Sequence, residues 1–223
     1  MAWAEYLGAM AAFFLCHRLP LRPGVKSALV ARLGPRGFGL GYSALSLGLL
    51  GWVIAAAGRA PHVPLWGWAE WQVPVTLALM LAVCLIAALA IGRPNPFSVG
   101  GREGAGFDPA RAGLIRYSRH PLLLALGLWA GAHLPPNGDL AHVGLFGLFA
   151  GFAALGGRLV DRRRKAALGA EWARLDNMLR GGPLWPPRPA SVWSAAGRLA
   201  LGLLAYAALL AAHPLVIGVS PLP

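Results

Sequence analysis

Six histidines, His17, His62, His120, His133, His142 and His213, are the side chains of this sequence best suited to hold a metal. Imidazole is the common protein ligand of haem iron and of zinc. No two of them stand in an HxxxH pair, and Cys16 and Cys84 form no CxxC, so the spacing offers no zinc centre. A Ser-His-Asp hydrolase lacks its GxSxG elbow. Neither a P-loop nor a GxGxxG is present to cradle phosphates. The structural reading of a lone histidine at a membrane boundary is an anchor or a hydrogen-bond partner.

Two short stretches stand out. In Tyr117-Ser118-Arg119-His120-Pro121 the proline sits where a helix begins, its favoured helical position. In Leu128-Trp129-Ala130-Gly131-Ala132-His133-Leu134 a histidine closes an apolar run and is followed by Pro135-Pro136-Asn137-Gly138-Asp139. Asn-Gly-Asp is turn chemistry, and Asp139 can cap the next helix. Capping accounts for Asp139 and leaves His133 unexplained.

The elements that must position these residues are apolar. Over 223 residues, 57% are hydrophobic and 13% charged, against roughly 45–50% and 25% in soluble domains. Mean hydropathy is +0.58. The sequence therefore reads as an all-α, polytopic membrane protein forming a single integral membrane domain over 1–223. Six segments near the 20 or so residues of a membrane span lie at about 2–17, 37–58, 71–92, 121–135, 139–157 and 195–217. The first carries Glu5 where a signal peptide has a basic region and lacks a small-x-small site, so it is expected to be a retained helix. Residues 93–119, with Pro94, Pro96 and Pro109, read as a loop.

The net charge of +12 matches membrane topology better than nucleic acid. Nineteen of the 20 Lys and Arg residues fall in the stretches before the second segment, between the third and fourth, and from Arg158 to Arg198. Only Arg59 falls on the other side. The alternation is strict, so both termini are expected in the periplasm. The Arg162-Arg163-Arg164-Lys165 run needs no other explanation than this charge bias. Trp3, Trp66, Trp68 and Trp71 would mark the outer boundary, and Trp172, Trp185 and Trp193 the inner one. Two cytoplasmic surface helices are expected at about 24–33 and 166–180. The first has Val25, Leu29 and Leu33 on one face; the second has Leu168, Trp172, Leu175 and Leu179.

The Arg119-His120-Pro121, Leu128–Leu134 and Asn137–Ala150 block, with Cys16-His17-Arg18-Leu19-Pro20 and Asp161-Arg162-Arg163-Arg164, resembles the NnrU family of bacterial membrane proteins. The resemblance runs over nearly the whole chain and is weakest after Pro189. It implies an inner-membrane protein of bacteria whose family is needed for expression of nitrite and nitric oxide reductases. That family is in turn similar to 15-cis-ζ-carotene isomerase, a membrane enzyme using haem b. This implies a haem-binding protein of one of two kinds: an isomerase acting on a bound polyene, a hydrophobic small molecule, or an accessory factor of denitrification. The lipid bilayer is an expected partner and nucleic acid is not, since no soluble domain could contact DNA. The ligands the resemblance implies are His17 and His133.

A second resemblance is to the isoprenylcysteine and phospholipid methyltransferases, through His120, Glu171-Trp172 and Trp185-Pro186-Pro187. It would imply S-adenosylmethionine. Those enzymes hold it with a pair of glutamates after the helical hairpin, where this chain has Asp161 and three arginines.

His17, His120 and His133 are thus the candidate ligands of a haem iron. His120 and His133 stand 13 residues apart on one helix, about 20 Å. If the first and fourth segments run antiparallel, His17 lies at the level of His120. Two axial nitrogens stand only about 4 Å apart, so a regular bundle permits His17 with His120, or His133 with an outer partner such as His213, but not the pair that the resemblance implies. Of these, changing His17 or His120 is expected to alter the haem spectrum.

Overall fold

A computed structural model describes residues 1–98, 106–181 and 191–222. Trp185, Pro186 and Pro187 of the sequence reading lie outside the described residues. The secondary structure is helical: α1 Ala2–Arg18, α2 Pro23–Arg59, α3 Gln72–Ala90, α4 Pro121–His133, α5 Leu140–Leu168, α6 Ala170–Gly181 and α7 Val192–Val216. Short 3-10 turns cover Leu19–Leu21, Pro109–Arg111 and Gly113–Arg116. Four helices, α2, α3, α5 and α7, are long and apolar enough to cross a membrane. The 13 residues of α4 rise about 20 Å, short of a hydrocarbon core of about 30 Å.

Two compact units divide the chain: Met1–Gly67 with Gly138–Leu145, and Trp68–Asn137 with Phe146–Pro223. In the first, Tyr6, Ala9, Met10 and Phe13 follow the i, i+3, i+4, i+7 spacing of one helix face and are buried, as are Val53, Ala56 and Ala57 of α2. The helices are antiparallel: Glu5 near the start of α1 pairs with Arg59 at the end of α2, and the carbonyl of His17 accepts from Tyr42. Gly34 adopts φ +70° and ψ 165°, and Pro35 follows, so α2 is two helices joined at a kink. Proline lacks the N–H that would continue the helix. The kink falls between the expected segments 24–33 and 37–58.

Asp139 starts α5, accepting from the amides of Ala141 and His142. The turn before it closes on 63–66. Leu65 and Trp66 donate to the carbonyl of Gly138, and Leu140 donates to that of Val63. A β-carbon at Gly138 would collide with the Trp66 carbonyl, so this position has room only for glycine.

In the second unit α3 packs against α4 and α7. Thr76, early in α3, donates to the carbonyl of Ala132, late in α4. Arg198, early in α7, donates to the carbonyls of Ala88 and Ile91 at the other end of α3. Both pairs are therefore antiparallel. Gly202 brings the α7 backbone against α3: a β-carbon there would stand 3.1 Å from Leu85 Cα and 3.2 Å from the Cys84 carbonyl oxygen. α4 and α5 meet through small residues, with Gly127 against Ala153 and Gly157 against His120.

Gly169, at φ +56°, ends α5 and separates it from α6. The apolar face of α6 is not bare. Trp172, Leu175 and Leu179 form a small core with Phe97, Ala112 and Ile115, and Phe107 and Leu168 pack against it. The face expected to lie on a membrane thus meets residues of the loop before α4.

Candidate functional site

Arg119 and His120 stand where the loop turns into α4, with His120 as N-cap and Pro121 as the first helical residue. Three segments of the second unit converge on them. From α5, Asp161 takes two bonds from Arg119, Nη2 to Oδ2 at 2.7 Å and Nε to Oδ1 at 3.3 Å. From α6, Asp176 accepts from Arg119 Nη1 at 3.0 Å and from Arg180 Nε at 2.8 Å. From the loop, Asn95 donates to the Arg119 carbonyl and also holds the amide of Phe97 through its Oδ1. Arg164 donates to the carbonyl of Ser98. The Trp172 ring lies under both Lys165, 4.3 Å from its centroid, and Arg119, at 5.5 Å, cation–π contacts that add to the charge pairing. The Asp161 hydrogen bond, together with the charges of Asp161 and Asp176, pushes the Arg119 guanidinium above its already high ordinary value.

Both nitrogens of His120 are engaged. Nε2 is 3.0 Å from Asp161 Oδ1 and Nδ1 is 2.9 Å from Ser98 Oγ. A carboxylate only accepts, so Nε2–H donates and Nδ1 takes the Ser98 hydroxyl proton. A ring so committed does not fit an axial haem ligand unless it gives up one partner. The expected His17–His120 pair meets that obstacle on the His120 side.

His133, at the other end of α4, is set differently. Its Nδ1 donates to the carbonyl of Trp129 at 2.8 Å. Its ring stacks on Phe146, with centroids 5.0 Å apart, and lies 5.4 Å from that of Trp129. Nε2 makes no hydrogen bond among the described residues. Donation from Nδ1 fixes the tautomer in which Nε2 carries the lone pair, as second-shell carbonyls do for imidazole ligands. Of the two rings, His133 is thus the one with a nitrogen not engaged among the described residues.

In the first unit, the His17 ring stacks on Phe13 and lies beside Tyr42, and its Nδ1 is 3.4 Å from Ser46 Oγ. His142 Nδ1 bonds Asp139 Oδ2 at 2.6 Å, and His213 Nδ1, in the second unit, donates to the Val219 carbonyl. His62 is exposed. No group of three or more His, Cys, Asp or Glu residues that could hold a metal ion occurs among the described residues. Glu171 is exposed and bonds Arg174 through both carboxylate oxygens, which lowers its pKa below the usual carboxylate range.

An apolar groove of about 340 Å³ runs between α4 and α5. Leu123, Leu124 and Leu128 line one wall, Ala150, Ala153 and Ala154 the other, and Ser118 and His120 stand at one end.

Sequence reasoning found Arg119, His120 and Asp161 but missed Ser98, Asn95 and the partnership of Asp176. One signal was present. With only eight acids against 20 Lys and Arg residues, an acid amid an arginine-rich stretch is a natural ion-pair partner.

None of the curated proteins and none of the solved structures matches the chain. The family described as NnrU protein matches residues 5–221, and on that near-complete match the chain belongs to the NnrU family.

Proposed function

We propose that this chain is a multi-pass protein of the bacterial inner membrane that holds haem b through His133, and that its activity is a redox-gated cis/trans isomerisation of a hydrophobic polyene. The observation carrying the reading is the His133 ring, clamped by Phe146 and Trp129 and turned by the Trp129 carbonyl so that Nε2 is the lone-pair nitrogen. Bound haem supplies the one-electron chemistry of its iron. The chain's own residues orient the imidazole and, through Trp129, Phe146 and Phe149, keep an apolar wall beside it. The α4–α5 groove supports the substrate class: its walls are built of leucine, alanine and glycine, a lining that suits a hydrocarbon.

The orientation proposed is six crossings with both termini periplasmic, adding α1 and α4 to the four long helices. The cation distribution supports it. So does the pairing of Arg59, the exception in that distribution, with Glu5.

An absorption spectrum of the protein purified in detergent from haem-replete cells tests the reading. A Soret band that shifts on dithionite reduction is expected, lost in His133→Ala and kept in His120→Ala. Absence of the band, or its survival in His133→Ala, refutes haem binding through this residue. S-adenosylmethionine binding that disappears on changing His120 would instead favour methyl transfer.

A further inference from the structure

α3 and α7 leave a groove of about 410 Å³ between the end of one and the start of the other, lined by Ala88, Ile91, Ser194, Gly197, Arg198 and Leu201. Its chemistry is unbalanced. Arg198 is part-buried in an otherwise apolar wall, and neither helix carries an Asp or Glu. Arg198 Nη1 donates to the carbonyls of Ala88 and Ile91 at 2.8 and 2.9 Å, which fixes the guanidinium plane. Three further N–H groups, on Nε and Nη2, make no bond among the described residues, and no carboxylate pairs with this cation there. The Ser194 hydroxyl stands one turn away on the same helix and likewise makes no hydrogen bond among the described residues. Trp193 is 87% exposed, as befits an indole at a membrane–water boundary.

We propose that this groove binds an anionic phospholipid, its phosphate on Arg198 and Ser194 and one acyl chain along Ile91 and Leu201. Three observations select this occupant. A guanidinium whose Nε and Nη2 edge is open matches the oxygens of a phosphate in the bidentate manner. No carboxylate among the described residues compensates the cation, so a headgroup of net negative charge balances it, whereas a zwitterionic one brings a second cation beside it in low dielectric. The charged residue lies at one end of an apolar wall, the order of headgroup and tail in a lipid, and basic pockets between membrane helices recognise anionic headgroups in this way. The site is separate from His133 and from the α4–α5 groove, and its test needs no haem and no knowledge of orientation.

The test titrates the delipidated protein in detergent with phosphatidylglycerol or phosphatidylcholine and counts retained lipid by native mass spectrometry. Wild type should prefer phosphatidylglycerol at least about fivefold, because both lipids bring a phosphate but only phosphatidylcholine brings a choline cation to oppose Arg198. Arg198→Gln should abolish the preference, Arg198→Lys should keep part of it, and Ser194→Ala should weaken phosphatidylglycerol binding several-fold. Arg158→Ala, removing an exposed cation elsewhere, should leave it unchanged. Because Arg198→Gln also removes the tie to α3, Ser194→Ala decides the matter if that variant does not fold. Equal binding of the two lipids overturns the proposal. So does undiminished phosphatidylglycerol binding in Ser194→Ala, a loss in Arg158→Ala as large as in Arg198→Gln, or full displacement of the lipid by inorganic phosphate.

Discussion

Removing Arg119 should cost far more than removing Arg180, although both bond the same carboxylate of Asp176. The side chain of Asp176 is 8% exposed, that of Arg119 26% and that of Arg180 67%. Arg119→Ala strips Asp161 of two bonds and Asp176 of one, leaving Asp161 only His120 among its described partners and Asp176 only the solvated Arg180. Breaking a buried ion pair from one side costs about 3–5 kcal/mol. Scaled down for the part of Arg119 that water reaches, about 2–4 kcal/mol is expected. Arg180→Ala breaks a pair of which one member is mostly in water, and should cost under about 1 kcal/mol. Unfolding in mixed dodecylmaltoside–SDS micelles, followed by tryptophan fluorescence, measures both. The double-mutant cycle of Arg119 with Asp176 should show a coupling of about 1–3 kcal/mol. Equal losses for the two arginines, or a loss under about 1 kcal/mol for Arg119→Ala, would show that the cluster is not the fastener its geometry describes.

Gly138→Ala should destabilise the first unit by about 1–3 kcal/mol, as overpacking does, because its β-carbon meets the Trp66 carbonyl; a thermal midpoint in detergent equal to wild type would show that the turn gives way. The raised pKa of Arg119 means that its contribution is complete below the ordinary guanidinium value and lost only when pH climbs past the folded-state value. The difference in unfolding free energy between wild type and Arg119→Ala should therefore be the same at pH 7 and pH 9, and a shrinking difference would count against that assignment. A C-terminal alkaline phosphatase fusion should be active and a C-terminal GFP fusion dark, with bright GFP excluding a periplasmic C-terminus.

Much of the scaffold could be read from the residues because its signals are local. Pro121 announces the start of α4, Asp139 that of α5, and the Gly34-Pro35 break lies in the gap between two expected segments. The cluster around Arg119 was only half legible. Asp161 stands in a motif, but Ser98 and Asn95 lie in a proline-rich loop whose path no periodicity describes. The face formed by Trp172, Leu175 and Leu179 shows the limit most plainly. Amphipathic spacing says that a helix covers something apolar, and in a membrane protein lipid and protein satisfy that demand equally. Phe97 and Ile115 cover this face, and they belong to segments whose own sequence marks them only as loop. For the histidines, spacing along α4 separated His120 from His133. It could not show that one ring has both nitrogens engaged while the other keeps one open.

The contact at Gly202 limits how α7 can move. Along the row that faces α3, the neighbours of Gly202 one turn away are Arg198 and Tyr206. A slide of α7 by one turn, about 5.4 Å, would bring one of these bulky side chains onto the backbone of Cys84 and Leu85, where even a β-carbon would be about 3 Å away. An axial slide by a full turn is thus opposed at this contact, whereas a rocking of α7 about Gly202 as a pivot, its two ends swinging in opposite senses, keeps the contact intact.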